Sequence, residues 1–272
     1  MAGHKRQKTH AIDAAGPTYE QKAEYSKGEH IGTVTTTVEP KQYSDYDCCR
    51  RLQVGIFAQP KGTKKPADAG YAVAWLVDKA IRSGNGRPTW LEELLEADDA
   101  AQNDQTSSLR KFVRALYRKD AGVRASMKDY QEALSSDTFV FIDTIKLNDA
   151  SRGTGIAEVV MRSLSTIARR DLNIGLIVLE PARSGKAKWG SKTDEEVEQS
   201  LIGFYGRNEY KVWRQAKSAN DVTVMALELT PATEVAKGKT HVADPDNDDA
   251  GEGSDGDESR RVTRSMGKRK RD

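Results

Sequence analysis

Apolar and polar positions alternate in short runs through the first third of the chain, and three- and four-residue apolar spacing appears further on. Ile31 to Val38 alternates with threonines and reads as an edge strand. Leu52 to Gln59 and Gly70 to Val77 are the next strands, and the Pro-, Gly- and Lys-bearing stretch Pro60 to Ala69 predicts a hairpin between them. Pro88-Thr89-Trp90-Leu91-Glu92-Glu93 has the form of a helix start, with Thr89 as cap and Glu92 completing a capping box. Two further helices are expected, Ser107 to Lys119 and Val123 to Leu134, broken at Gly122.

From there strands and helices alternate. Strand Thr138 to Leu147 leads to helix Gly155 to Arg170, strand Ile174 to Leu179 and helix Asp194 to Tyr205. Strands Tyr210 to Gln215 and Val222 to Leu229 close the series, joined by the polar turn Ala216 to Asp221 and hence antiparallel. A strand–helix–strand unit of this length implies a parallel pair with a right-handed crossover. On the first of these strands Phe139, Phe141, Ile145 and Leu147 are expected on one face, interrupted by Asp143. The result is a mixed sheet flanked by helices.

Ser151-Arg152-Gly153-Thr154-Gly155-Ile156-Ala157 lies between the strand ending at Leu147 and the apolar-periodic helix that follows. A small-residue turn here leaves backbone N–H groups unpaired at the helix start, where the positive end of the dipole favours a phosphate or pyrophosphate. Arg152 adds a permanent charge. A dinucleotide fingerprint needs a third glycine where Glu158 stands, and a carboxylate there would face the pyrophosphate. A nucleotide P-loop needs a lysine that this turn lacks. The decoy Gly185 to Thr193 has Ser191 at the lysine position and Lys192 one residue late.

Arg152-x-x-Gly155-x-Ala157 resembles the acetyl-CoA loop of the GNAT family of N-acetyltransferases, Gln/Arg-x-x-Gly-x-Gly/Ala, with apolar Leu147 five residues before the arginine. Phe204-Tyr205-Gly206-Arg207-Asn208-Glu209-Tyr210 is similar to the family's Phe-Tyr-x-x-x-Gly-Phe segment, with Glu209 in the glycine position. The family's frequent asparagine has no counterpart near Glu198. The order of elements agrees from about residue 138 to 229. The resemblance implies an α/β (α+β) fold: a mixed, mostly antiparallel sheet flanked by helices, with a parallel strand pair at the cofactor cleft. It implies acetyl-CoA as acyl donor, with its pyrophosphate on the amides of Arg152, Gly153, Thr154, Gly155, Ile156 and Ala157. The pantetheine arm would pair with the main chain of Ile145, Lys146 and Leu147, where the strand Ile174 to Leu179 splays away. Tyr205 matches the position that protonates the leaving thiolate.

Acyl transfer also needs a proton removed from the amine. A lysine-like amine of pKa about 10.4 costs about 4–5 kcal/mol to present neutral at pH 7. His4, His10, His30 and His241 all fall outside the expected core, which disfavours histidine catalysis. Asp143 and Glu180, on the motif strand and at the end of the next, are the candidate bases, directly or through water. Each has an ordinary alternative as a satisfied polar group, as Tyr205 has as a core aromatic.

Composition narrows the setting. The chain has 272 residues, 31% of them charged, with mean hydropathy −0.71. That is too polar for a single compact unit of full length. Residues 1–30 read as a disordered basic segment, 31–230 as the domain, with a helical insertion at about 88–135, and 231–272 as a disordered tail. The tail is acidic from Asp244 to Glu258 and basic from Arg260, and Lys268-Arg269-Lys270-Arg271 has the form of a nuclear import signal read by an import receptor. Adjacent Cys48 and Cys49 suit neither a disulfide nor zinc, so no metal is expected and a reduced intracellular setting is. No run is long enough to span a bilayer, so no membrane partner is expected. Arg110, Lys111, Arg114, Arg118, Lys119, Arg124 and Lys128 interleave with Phe112, Leu116 and Tyr117, which suits either a solvated amphipathic helix or a face for nucleic acid. The expected partner is an amine-bearing protein or small-molecule acceptor in the nucleus, with the cytoplasm as the alternative compartment. The competing function is a noncatalytic nuclear binding protein of the same fold, associated with chromatin or nucleic acid.

Overall fold

Period-two alternation builds one sheet of eight strands among the residues that the computed structural model describes: 17–42, 47–81, 89–96, 106–182, 189–218 and 221–230. The strands are β1 (Tyr19–Lys27), β2 (His30–Gln42), β3 (Cys49–Pro60), β4 (Ala67–Asp78), β5 (Thr138–Leu147), β6 (Leu176–Leu179), β7 (Lys211–Arg214) and β8 (Val224–Glu228). Their spatial order is β1-β2-β3-β4-β5-β6-β8-β7, antiparallel throughout except for β5 beside β6. The helices are α1 (Trp90–Glu96), α2 (Ser107–Leu116), α3 (Gln131–Leu134, preceded by a 3-10 stretch Ala125–Tyr130), α4 (Ile156–Arg170) and α5 (Asp194–Arg207). This is the mixed, mostly antiparallel sheet with one parallel pair that the motifs imply. The acidic stretch before Glu258, the cluster Lys268 to Arg271 and residues 1–16 lie outside the described residues. No helix among those described is long and apolar enough to cross a membrane.

Two expectations at the start of the chain change. Tyr19–Lys27, inside the segment read as disordered, is strand β1. Consequently β2 lies between β1 and β3 and is not an edge. The alternation that places β1 is carried by Tyr19, Ala23 and Tyr25, which face the core, while Glu20, Lys22 and Glu24 face out. An edge strand covered on one face needs few apolar residues, so its pattern is faint in sequence.

The sheet separates two cores. One face carries α4, whose buried Ile156, Val159, Val160, Leu164 and Ile167 recur at three- and four-residue spacing and meet Val34, Val38, Val54, Ile56 and Val140. The opposite face carries α1, α2 and α3, with Trp75, Trp90, Leu109, Phe112, Leu116, Phe139 and Phe141 together. The end of β4 brings Lys79 into this second core. Its ammonium donates to the Leu134 carbonyl that ends α3 and lies 5.3 Å from the centroid of the Tyr117 ring, and burial lowers its pKa to about 8. Tyr117 donates to the same carbonyl at 3.0 Å, so this buried polar group is satisfied twice.

Six of the seven cations of the basic helical block are exposed, and three of the seven side chains make contacts within the fold besides buried Arg110. Arg110 is buried, Lys111 and Arg118 pair with carboxylates, and Arg124 donates to the Arg114 and Tyr117 carbonyls. The helix expected from Val123 is mostly a 3-10 stretch.

Phe112 anchors α2 to the strand that carries the site: its ring lies 4.7 Å from that of Phe141. Phe112→Ala is expected to cost about 3–5 kcal/mol by removing a fully buried aromatic side chain. A urea titration with unchanged slope and lowered midpoint checks this.

Candidate functional site

Asp143 is an extra residue in the ladder between β4 and β5. Ala74 pairs with Ile142 and Val73 with Thr144, leaving Asp143 unpaired as a bulge. The bulge breaks the alternation. Phe139 and Phe141 face α2, whereas Ile145 and Leu147 join Val140 and Ile142 on the α4 side, so the four do not share one face. On the other edge of β5, pairing with β6 ends at Ile142 opposite Leu179. β5 continues to Leu147 beside β4 alone, and the main chain of Ile145, Lys146 and Leu147 lacks a strand partner on that edge among the described residues.

The two candidate bases meet where the strands part. Asp143 is the bulge, and Glu180 is the residue after Leu179. Burial is the largest influence on each, and it raises both carboxyls above the usual range. A hydrogen bond from Ser108 and the charge of Arg51 oppose the rise at Asp143. At Glu180 the ammonium of Lys111, 3.3 Å away, opposes it, while the charges of Glu198 and Asp143 reinforce it. Glu198 also accepts a hydrogen bond from Thr223. Ser108 and Lys111 are three residues apart on α2, hence on one face of it. This helix therefore covers the carboxylates from the side opposite α4.

The glycine turn lies at the other end of the open edge. A 3-10 turn, Asp149–Ser151, precedes Arg152. Gly153 and Gly155 take φ of 74° and 90°, left-handed values that glycine adopts without strain. Gly155 is the cap of α4, and no side chain among the described residues caps that helix start. Its first-turn amides are thus left for solvent or a ligand. A Cβ added at Gly153 would have nothing within 4 Å, and one at Gly155 would lie 3.2 Å from Lys27 Cβ at the end of β1. Arg152 is not a free charge. It pairs with Asp149 at 2.7 Å and donates to the Leu147 carbonyl at 3.2 Å, tying the turn to the end of β5. Thr154 donates to the Ser151 carbonyl at 2.7 Å, while Ile156 is buried in the core. Ala157 follows in the first helical turn.

Tyr205 stands among other neighbours. Its ring packs edge-on against Phe204 and Tyr210, centroids 5.1 and 5.9 Å away, beside the α4 core. Burial pushes its pKa up to about 12, so it stays a phenol throughout the physiological range. Glu209, in the place where the motif has glycine, takes φ of 70°. The Tyr210 amide donates to the Tyr205 carbonyl at 3.1 Å, so α5 ends in a left-handed turn built on a residue that pays roughly 1–2 kcal/mol for it.

Lys111 stands out in sequence only as part of a basic helix, and Ser108, Arg51, Glu198 and Thr223 are not among the candidates. The three-residue spacing of Ser108 and Lys111 is readable in sequence, but which strands they face is not. Two solved structures are similar in backbone course. Arylalkylamine N-acetyltransferase 2 from Aedes aegypti aligns over 65% of this chain and 73% of its own, at 13% identity and a TM-score of 0.35. An insect protein assigned as arylalkylamine N-acetyltransferase 7, from the yellow fever mosquito, aligns over 79% of this chain and 97% of its own, at 8% identity and a TM-score of 0.37. No family model and no curated protein sequence matches the chain.

The raised Glu180 carboxyl has a consequence for stability. The folded state keeps its proton over a window in which the unfolded state has lost it, so stability falls as pH rises from the ordinary glutamate range to the raised value. Glu180→Gln removes that loss and gives up an ion pair with a half-exposed lysine, worth about 0–1 kcal/mol. The variant's gain in Tm over the unmutated protein is expected to be largest near pH 8 and to shrink toward pH 4. Calorimetry across that range checks it, and a gain that grows on acidification contradicts it.

Proposed function

We propose that the chain is an acetyl-CoA-dependent N-acetyltransferase that transfers an acetyl group to an amine on a nuclear protein. The observation that carries this reading is the parting of β5 and β6 beneath Asp143 and Glu180, with an uncapped helix start at the far end of the same strand edge.

The residues fit an acyl-CoA. Amides of Gly153 to Ala157 would hold its pyrophosphate without side-chain freedom to lose, and a helix start contributes about 0.3–1 kcal/mol per charge interaction at exposed sites. Gly153 leaves that approach open. On the edge away from β4 the main chain of Ile145 to Leu147 has no strand partner among the described residues, and it suits the amides of an extended arm, as an added strand. When bound, acetyl-CoA supplies an acyl group on a good leaving thiol. Glu180, or Asp143 beside it, takes the proton from the acceptor amine, and its raised pKa narrows the gap to that amine. Tyr205, held protonated, is the donor to the departing sulfur. The carboxylates lie on the α2 side of the sheet and the glycine turn belongs to the α4 side, so acceptor and donor would approach from opposite faces. The basic cluster Lys268 to Arg271 supports the nuclear setting.

Acetyl-CoA is expected to raise the Tm of the full-length protein, and Gly155→Glu to abolish that shift by placing a charged side chain at a left-handed position of the turn. Tyr205→Phe should keep the shift and lower thiol release with an amine acceptor by about 100-fold or more. Absence of any shift in the unmutated protein sinks the acyl-CoA reading. Binding without thiol release, unchanged by Tyr205→Phe, points to a noncatalytic nuclear binding protein.

A further inference from the structure

The ion pair at Glu180 places an amine of the chain itself where acyl transfer needs one. Lys111 Nζ is 3.3 Å from Glu180 Oε1, within hydrogen-bond reach. Glu180 follows Leu179, the last β6 residue paired with β5, so this ammonium lies at the mouth of the splay. The Lys111 side chain is 47% exposed against 18% for Glu180: the lysine stem is free to move while the carboxylate is held. Its helix is anchored by buried Leu109, Phe112, Val113 and Leu116, which keep the amine near the carboxylate. A substrate lysine delivered to Glu180 would have to displace this side chain.

Resting on the acyl-CoA reading of the cleft, we propose that Lys111 is itself an acetyl acceptor, modified by the protein within its own cleft. Glu180 takes a proton from the Lys111 ammonium, and the neutral Nζ forms a bond to the acetyl carbonyl carbon. The carbon–sulfur bond of acetyl-CoA breaks, with its electron pair going to sulfur. Of the two protons that the ammonium gives up, one ends on the sulfur as free thiol and the other in solvent. Nothing is oxidised or reduced. The product amide is uncharged, so Glu180 loses its cation and the lysine no longer occupies the place of an incoming amine. Modification of Lys111 thereby opens the acceptor side of the cleft.

The test uses the full-length protein and acetyl-CoA, with no added acceptor. Site occupancy is followed by peptide mass spectrometry, and binding by Tm. Acetylation at Lys111 is expected to be first order in protein and faster than at Lys119, just beyond the same helix, and at Lys128, in the following 3-10 stretch. Glu180→Gln should slow it by about 100-fold or more, and Gly155→Glu should do likewise, with Lys119 and Lys128 unchanged. Glu180→Asp, which retracts the carboxylate, is the second variant should the glutamine form melt early, and it should slow Lys111 selectively as well. A Tm shift with Lys111 modified no faster than the two comparison lysines overturns self-acetylation and leaves the acyl-CoA reading standing. No Tm shift overturns both.

Discussion

The inner strand β5 has β4 beside it from end to end and β6 beside it only from Val140 to Ile142. Backbone hydrogen bonding normally demands that both edges of a central strand be satisfied, since an unpaired amide or carbonyl away from water costs about as much as a lost hydrogen bond. Here the demand is relaxed at one point, where Asp143 bulges out of register and β6 ends at Leu179. Everything proposed for this molecule depends on that relaxation. The exposed edge beyond it offers hydrogen-bonding groups to an extended ligand, and the gap receives two carboxylates that a continuous sheet would have excluded.

The carboxylates persist there because α2 covers them with compensating groups. Lys111 and Ser108 reach Glu180 and Asp143 from one helix face, and Arg51 acts from β3. These partners oppose the burial penalty without cancelling it, so both carboxyls remain raised. A group held partly out of its comfortable charge state is a poor contributor to stability and a suitable proton acceptor. The Phe112–Phe141 contact connects the two roles, since the same helix that packs the second core also supplies Lys111 and Ser108.

On the opposite face the glycine turn depends on local backbone chemistry. Gly153 and Gly155 turn the chain left-handed, and Arg152 ties the turn to Leu147, so the amides at the head of α4 stay uncapped. Its charge is shared with Asp149, which shifts the anion reading from the arginine side chain to the main chain. At the end of α5 the same backbone conformation is reached without glycine, at Glu209. A motif position can therefore keep its geometry while losing its usual residue.

By itself the sequence determined the elements from Thr138 to Leu229, the parallel pair, the hairpin of β3 and β4, and the glycine turn with its helix. Those are written in short-range patterns: alternation, three- and four-residue spacing, and glycine at a strand–helix junction. It also named Asp143, Glu180 and Tyr205 one at a time. Which of these residues stand side by side is set by packing between distant elements. Glu180 and Lys111 are far apart in sequence, and nothing local marks them as partners. The bulge at Asp143 is equally invisible locally, because it exists only as a mismatch between two strands, and it sends Ile145 and Leu147 to the face opposite Phe139 and Phe141. β1 escaped notice because an edge strand covered on one side needs only Tyr19, Ala23 and Tyr25 to hold it. Local order follows from backbone sterics and side-chain period, whereas the site follows from packing two helices on opposite faces of a sheet that opens in the middle.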